Sequence, residues 1–385
     1  MASSFKKKSN RGRISNVRGT KISLHNNQLL ISTGVPSLDS LLGGGLAVGT
    51  VLLVEDDVGS YFSKILMRCF LAEGVVSEHS LFLATADENP TEMWKNLPRA
   101  VNDVNYEKNN EGKLNSSQEE EFAGMKIAWR YENMSKVDLS PAPTKFGHFF
   151  DFIQRFDETR IDKLKKYGFC ARDQWFDFDK EQTSEKRSLL NPFYKSLLDK
   201  LCAIIQENGH CSSNTEIKDE TILRVAIPSM DADLWCYGDG DDTSLPMFLY
   251  YLRGVVRSSY SACFVTIPSH VYQDTTFASR IERLCDVVIK LESFSGSEKE
   301  TNPMFKDYHG LFYIVRLSRL NSLTRFMPET MDFGFKLRRR KFIIEKLHLP
   351  PSINETEEDK KNDFNHSNNL SYGTGSTLGG CKLNF

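Results

Sequence analysis

One short stretch constrains the fold of this chain more than any other. Residues 51–66 read VLLVEDDVGSYFSKIL, which is an apolar run, a short polar loop and an amphipathic helix. Apolar residues recur in the helix at i, i+3, i+4, i+7 and i+8: Phe62, Ile65, Leu66, Cys69 and Phe70. We expect this helix to end at Gly74. A strand, a loop and a helix in this order are the frame of a phosphate-binding loop.

The loop lacks most of the residues that hold a phosphate. A working loop follows G-x-x-x-x-G-K-[ST], in which glycines let backbone N–H groups converge, lysine neutralises charge and the hydroxyl holds magnesium. Gly59 aligns with the second glycine. Val54 then stands at the first glycine, Ser60 at the lysine and Tyr61 at the hydroxyl position. The phosphate loop is therefore degenerate.

Three acids, Glu55, Asp56 and Asp57, add negative charge to the same loop. A carboxylate about 4 Å from a phosphate charge costs roughly 4 kcal/mol at an effective dielectric constant of about 20. Because about 1.4 kcal/mol is tenfold in affinity, one such acid weakens binding on the order of a thousandfold. We expect that the chain alone binds neither ATP nor a metal ion and is not an enzyme.

The strand pattern predicts an α/β fold. Mostly apolar strands are expected to begin near residues 51, 80, 223 and 262, as in a parallel sheet covered by helices on both faces. Helices are expected at about 193–207 and 246–260, and the strands CDVVIKLESF and GLFYIVRL are expected to pair. Ligands lie at the carboxyl ends of such strands, so loop 55–60, Glu88, Ser229 and Ser269 should share one rim.

The two ends of the chain differ from its middle. No acid precedes Asp39, and seven basic residues between positions 6 and 21 predict a disordered arm over 1–27, with nucleic-acid contact or nuclear import as the alternatives. Residues 28–351 are expected to form one domain with insertions near 102–117 and 141–220, followed by a disordered tail over 352–385. Eight cysteines without a CxxC pair and no long apolar run predict a reduced, soluble, intracellular protein.

A first resemblance rests on the opening STGVPSLDSLLGGGL (32–46) and on ATADENP (84–90). Both segments resemble the RecA-like ATPases, in which a similar opening precedes the phosphate loop and an acid after the next strand activates water. The resemblance implies a RecA-like three-layer fold with a mostly parallel central sheet. It places Glu88 at the position of the water-activating acid. Glu88 would then be a vestige of that acid or an acid at a ring interface, and the alternative is a solvated loop carboxylate.

A closer resemblance covers most of the folded chain. The blocks HNNQLLISTGVPSLDSLLGGGLAVGTVLLVED, FLYYLRGVVRSSYSACFVTIPSH and DVVIKLESFSGSEKETNPMFKDYHG are similar, in wording and order, to the family of the fourth subunit of the Elongator complex. The resemblance implies a non-catalytic subunit that alternates with the fifth and sixth subunits in a six-membered ring. That ring binds tRNA and supports modification of the wobble uridine, U34, by another subunit in the cytoplasm and nucleus. Any ATP is expected at ring interfaces.

Two other interpretations remain open at this stage. The first is an autonomous RecA-like ATPase acting on nucleic acid, and the second is a scaffold subunit without RNA contact. Candidate RNA or subunit contacts are Arg253 and Arg257, one helical turn apart, and the cluster formed by Arg338, Arg339 and Arg340. For the pair the alternative is ordinary surface arginine, and for the cluster it is a solvated helix face.

Overall fold

The computed structural model describes residues 17–23, 26–101, 146–174, 190–213, 221–235, 243–272, 274–324, 326–338 and 341–347. The first half contains β1 (Thr20–Ile22), β2 (Leu29–Ile31), α1 (Pro36–Leu41), β3 (Leu46–Ala47), β4 (Val51–Glu55), α2 (Tyr61–Val76), β5 (Ser80–Thr85), α3 (Pro90–Lys95), β6 (Pro98–Ala100), β7 (Phe150–Arg155), α4 (Glu158–Asp162) and β8 (Lys166–Cys170). The second half contains α5 (Pro192–Glu207), β9 (Leu223–Ile227), α6 (Ser244–Arg257), β10 (Ser261–Ile267), α7 (Thr275–Leu284), β11 (Val287–Ser293), α8 (Glu298–Thr301), β12 (Gly310–Arg316), β13 (Phe333–Arg338) and β14 (Lys341–Lys346).

A nine-stranded sheet, in the order β14-β13-β12-β11-β4-β10-β9-β5-β8, forms the centre of the molecule. The six strands from β11 to β8 run parallel to one another. β12, β13 and β14 extend this sheet as antiparallel strands. Strands β4, β5, β9 and β10 are buried along their whole length, which explains their continuous apolar sequences.

Helices cover the parallel part of the sheet on both faces, and alternate residues of β4 point to the two sides. Leu52 and Val54 pack in the same core as α2 and the aromatic side chains of β12 and β13. Val51 and Leu53 pack in a second core with α5, α6 and Ile281 of α7. The predicted mostly parallel, three-layer α/β architecture is confirmed, and it is consistent with a RecA-like fold.

The expectation that α2 ends at Gly74 is wrong, because the helix continues to Val76. Gly74 is required here by packing rather than by a turn. A Cβ atom at this position would lie 2.5 Å from Cδ2 of Leu81 and 2.8 Å from Cδ of Arg224. The neighbouring strands therefore approach the helix backbone more closely than a side chain would allow.

Other predicted elements need smaller corrections. The strand expected over 262–270 ends at Ile267, and Ser269–Val271 form a 3₁₀ turn after Pro268. Arg338, for which a helix face was the alternative, is the last residue of strand β13 and pairs with Lys341 of β14. The region 141–220, expected as an insertion, supplies the edge strand β8 of the central sheet. The segment KIAWRYE (126–132), for which the sequence predicts a strand, lies outside the described residues.

No helix within the described ranges is long and apolar enough to cross a membrane.

Candidate functional site

The degenerate loop joins β4 to α2 and is closed by its own carboxylate. Asp57 Oδ1 accepts hydrogen bonds from the backbone N–H groups of Phe62 at 3.1 Å and Ser63 at 3.3 Å. Asp57 Oδ2 accepts a third from the N–H of Tyr61 at 3.3 Å. These are the first N–H groups of the helix, where an anion binds in a working phosphate loop. Asp57 therefore occupies the phosphate position from within the chain.

Asp56 is directed into the protein beside it. The side chain is 3% exposed, and its Oδ2 accepts hydrogen bonds from Ser60 Oγ at 2.8 Å and Thr266 Oγ1 at 3.4 Å. Its Oδ1 has no partner among the described residues. Burial, together with the negative charge of Asp57, raises the pKa of Asp56 to about 6. Ser60, at the lysine position, has left-handed backbone geometry (φ 51°) and serves to hold Asp56.

Glu55 ends β4 and is likewise buried, at 2% exposure. Its Oε2 accepts a hydrogen bond from Ser269 Oγ at 2.7 Å and lies 3.6 Å from Lys290 Nζ. Glu282 of α7 lies close to Glu55, and burial followed by the Glu55 charge raises the pKa of Glu282. All three loop acids, Glu55, Asp56 and Asp57, are therefore buried.

The residues present do not fit the phosphates of ATP. Three carboxylates lie where a phosphate would need positive charge, and the helix N–H groups are already taken by Asp57. Tyr61, at the hydroxyl position, is 58% exposed and Val54 is buried within β4. Among the described residues, no group of three or more His, Cys, Asp or Glu side chains could hold a metal ion.

Glu88 follows β5 on the same rim of the sheet. Its Oε1 accepts a hydrogen bond from Lys64 Nζ of α2 at 2.9 Å, and both side chains are partly exposed. Lys64 is thus already paired with this acid. The predicted rim is partly assembled by direct contacts, because Ser269 binds Glu55 and the Ser229 N–H donates to Thr266 Oγ1 at 2.8 Å.

Arg253 and Arg257 of α6 both bind one buried carboxylate. Their Nη2 atoms lie 2.9 Å and 2.6 Å from Asp286 Oδ1. Asp286 Oδ2 in turn accepts a hydrogen bond from the N–H of Val51 at 3.1 Å, which fixes the start of β4. Both guanidinium groups remain about one-third exposed, so their outer N–H groups can still meet a partner molecule.

The basic hairpin cluster is only partly within the described residues. Arg338 lies 3.6 Å from Asp307, and both side chains are largely exposed. Lys336, which neighbours it on β13, is buried and paired with Glu345. Arg339 and Arg340 lie outside the described residues. The structure thus brings Arg338 to an exposed hairpin end and does not join it to the loop at 55–61.

Sequence reasoning missed a buried polar network beneath the loop helix. Arg224 of β9 is fully buried, and its Nη1 donates to the carbonyl oxygens of Ser32 at 2.8 Å and Phe70 at 3.0 Å. Its Nε donates to His79 Nδ1 at 3.0 Å. The sequence feature that indicates this network is the single arginine inside the apolar strand LRVAI. A charged group is rarely buried without partners, so a buried arginine predicts a set of acceptors around it.

The mostly parallel central sheet and the closed loop define the class of this chain. It is a three-layer α/β protein, consistent with a RecA-like fold, in which Asp57 binds the N–H groups at the start of α2. A family model described as PAXNEB protein matches residues 13–377. The chain therefore belongs to the PAXNEB family.

Individual relatives agree with this assignment over nearly the whole chain. Elongator complex protein 4 from Homo sapiens is 41% identical over 380 residues, which cover 96% of this chain and 89% of the relative. The protein of that name from Danio rerio is 42% identical over 365 residues, covering 92% and 89%. The one from Saccharomyces cerevisiae is 23% identical over 400 residues, covering 92% and 80%.

Proposed function

We propose that this chain is a non-catalytic subunit of the Elongator complex. It forms a RecA-like hetero-hexameric ring with the fifth and sixth subunits, and the ring binds tRNA and supports modification of the wobble uridine U34. The relatives named Elongator complex protein 4, at about 40% identity over nearly the full chain, support membership of the complex. A component named for a complex also fits a role without catalysis of its own.

The observation that carries the non-catalytic part is the position of Asp57. Its carboxylate accepts three hydrogen bonds from the start of α2, and these N–H groups are the ones that a nucleotide phosphate would need. An intramolecular ligand is present at a very high effective concentration, so it excludes a weakly held phosphate. ATP bound by the ring is therefore assigned to subunit interfaces and not to this loop.

An autonomous RecA-like ATPase is the alternative that the same geometry disfavours. Such an enzyme needs a cation at the phosphates, whereas Ser60 at that position binds Asp56. The candidate for the water-activating acid, Glu88, is paired with Lys64. A scaffold without RNA contact differs from our proposal in tRNA binding alone, and the formal net charge of −2 favours neither.

Native mass measurement tests the proposed assembly. The purified chain is measured alone and after mixing with the fifth and sixth Elongator subunits. We expect a discrete hexamer in which one-third of the subunits are this chain, because a RecA-like domain packs side by side with its neighbours in a closed ring. A complex of other stoichiometry, or none, would contradict the proposed ring.

A further inference from the structure

A groove between α6 and α7 plays no part in the site described above. It has a volume of about 950 Å³ and is lined by Met247 of α6 and by Thr275, Ser279, Arg280 and Arg283 of α7. Arg280 and Arg283 are exposed and lie three positions apart, so their side chains are neighbours on the helix surface. Among the described residues, neither guanidinium group pairs with an acid.

Two aromatic side chains extend this groove along α6. Tyr250 is 66% exposed and Tyr251 is 50% exposed, and both lie one helical turn beyond Met247. Their rings pack edge to face on each other, with centroids 5.9 Å apart, instead of entering the core. Large adjacent aromatics on a surface are typical of a binding site.

Gly254 lies one turn further on the same side of α6. It is exposed within the helix, and a Cβ atom there would meet no heavy atom of the chain within 4 Å. A glycine inside a helix is less stable than alanine, and here no neighbouring side chain or backbone requires it. Close approach of another molecule's backbone is the physical use that such a glycine has.

The composition of this face distinguishes between kinds of partner. We define the α6–α7 surface by Met247, Tyr250, Tyr251, Gly254, Arg280 and Arg283. Tyrosine, methionine and arginine are the residues enriched in protein–protein interfaces, and lysine, which is depleted there, is absent from this set. A nucleic-acid surface would instead be expected to mix lysine with arginine along the groove.

The charges near this surface indicate an acidic partner. Arg253 and Arg257 share the single buried carboxylate of Asp286. Of the acids at the two ends of α7, Asp274 accepts hydrogen bonds from Thr276, and Glu282 lies close to Glu55 and is also attracted by Arg283. Neither acid forms an ion pair with Arg280 or Arg283 among the described residues, so both guanidinium groups can pair with carboxylates from outside.

We propose that the α6–α7 surface is the face on which a neighbouring, non-identical subunit of the ring docks through an acidic segment. The tyrosines anchor the interface, Gly254 admits the partner's backbone, and Arg280 and Arg283 bind its carboxylates. This inference rests on the proposed function, because it requires the hetero-hexameric ring.

The test measures how far the assembled ring must be diluted before it dissociates, by native mass measurement with the fifth and sixth subunits. Three variants are compared with the wild type: Tyr250→Ala, Gly254→Ala, and Arg280→Glu combined with Arg283→Glu. We expect each ring to dissociate at a concentration on the order of ten times higher than the wild type. Gly254→Ala should at the same time raise the thermal unfolding midpoint of the isolated chain by roughly 2 °C, which separates lost binding from lost folding.

The matched control is Arg160→Glu combined with Lys163→Glu. Arg160 lies on α4 and Lys163 is the C-cap residue directly after it; both are exposed and have the same spacing as Arg280 and Arg283, so the change in net charge is identical. This control should assemble like the wild type. If both charge reversals weaken the ring equally, the effect is one of net charge and the proposed surface is wrong.

Three further outcomes distinguish a failure of this inference from a failure of the proposed function. If the wild-type ring forms and all three variants assemble normally, the inference is overturned while the proposed function stands. Normal assembly with weakened tRNA binding would show that the surface binds RNA and would likewise overturn it. If the wild-type chain forms no ring, the proposed function itself is wrong, and this inference is wrong with it.

Discussion

The carboxylate of Asp57 is held at the N-terminus of α2 by three backbone N–H groups. The strand, loop and helix were predictable from VLLVEDDVGSYFSKIL, because their apolar periodicity is strong. The direction of the acids was not predictable. An acid that precedes a helix caps the helix only when the backbone between them turns the carboxylate toward the first N–H groups; otherwise the acid is solvated. Here that backbone turn depends on the left-handed conformation of Ser60, which the sequence does not indicate.

Replacement of Asp57 should therefore destabilise the chain. In Asp57→Ala three N–H groups at the start of α2 lose their acceptor, and we expect the free energy of unfolding to fall by about 1–2 kcal/mol. Urea unfolding of the dilute, isolated chain measures this. Asp57→Asn keeps an acceptor and should lose less than Asp57→Ala. Equal stability of the wild type and Asp57→Ala would mean that the carboxylate does not cap the helix.

Asp56 should lower the stability of the chain as pH rises, whereas an acid paired with a cation raises stability as pH rises. The pKa of Asp56 is raised from 3.8 to about 6, so its favourable neutral form is lost as pH rises through 6. Asp56→Asn escapes this loss. We expect the variant to gain stability relative to the wild type between pH 4 and pH 7, by on the order of 3 kcal/mol at most. Unfolding curves at several pH values measure the difference, and a difference independent of pH would contradict the buried, unpaired state of Asp56.

Among the elements, the parallel strands were the easiest to predict and the edges of the sheet were the hardest. Strands β4, β5, β9 and β10 are buried on both faces and so are apolar throughout. Edge strand β8 (KYGFC) mixes lysine and glycine with aromatics and has no such signature. Strands β13 and β14 end and begin with basic residues, Arg338 and Lys341, which hid the alternation of this pair of strands and suggested a helix face.

The two interior helix glycines should respond oppositely to the same substitution. Gly74→Ala places a Cβ atom 2.5 Å from Leu81 and 2.8 Å from Arg224, so we expect a loss of about 1–3 kcal/mol. Gly254→Ala meets nothing within 4 Å and should gain up to about 1 kcal/mol from helix propensity. Unfolding of the two variants, measured side by side, tests this. A gain in both would show that α2 is not closely packed at Gly74.

For the molecule as a whole, the proposed tRNA binding requires local basic surface, because the formal net charge is −2. Phosphate contacts release counterions, so the affinity of the assembled ring should fall with salt at a log–log slope of about −0.7 to −0.9 per phosphate neutralised. Replacing Arg338, Arg339 and Arg340 together by glutamate, which reverses their charge, tests this basic cluster. If the cluster contacts phosphates, binding to every tRNA should weaken alike and the slope should flatten.

The opposite outcomes of that experiment are equally specific. An unchanged salt slope would make the cluster structural, in line with the pairing of Arg338 to Asp307. No salt-dependent binding by the ring would support a scaffold without RNA contact. Ring assembly should be measured on the same variant, so that a lost ring is not mistaken for a lost contact.

The closed phosphate loop is best tested by titrating ATP with magnesium into the isolated chain in a calorimeter. We predict no saturable binding at micromolar ATP and no measurable turnover, because Asp57 holds the helix N–H groups and no loop cation replaces the missing lysine. Ser60→Lys alone should restore nothing, since Asp56, Asp57 and Tyr61 remain. Micromolar binding of one ATP per chain, with turnover abolished by Glu88→Gln, would contradict this account and identify the chain as an ATPase in its own right.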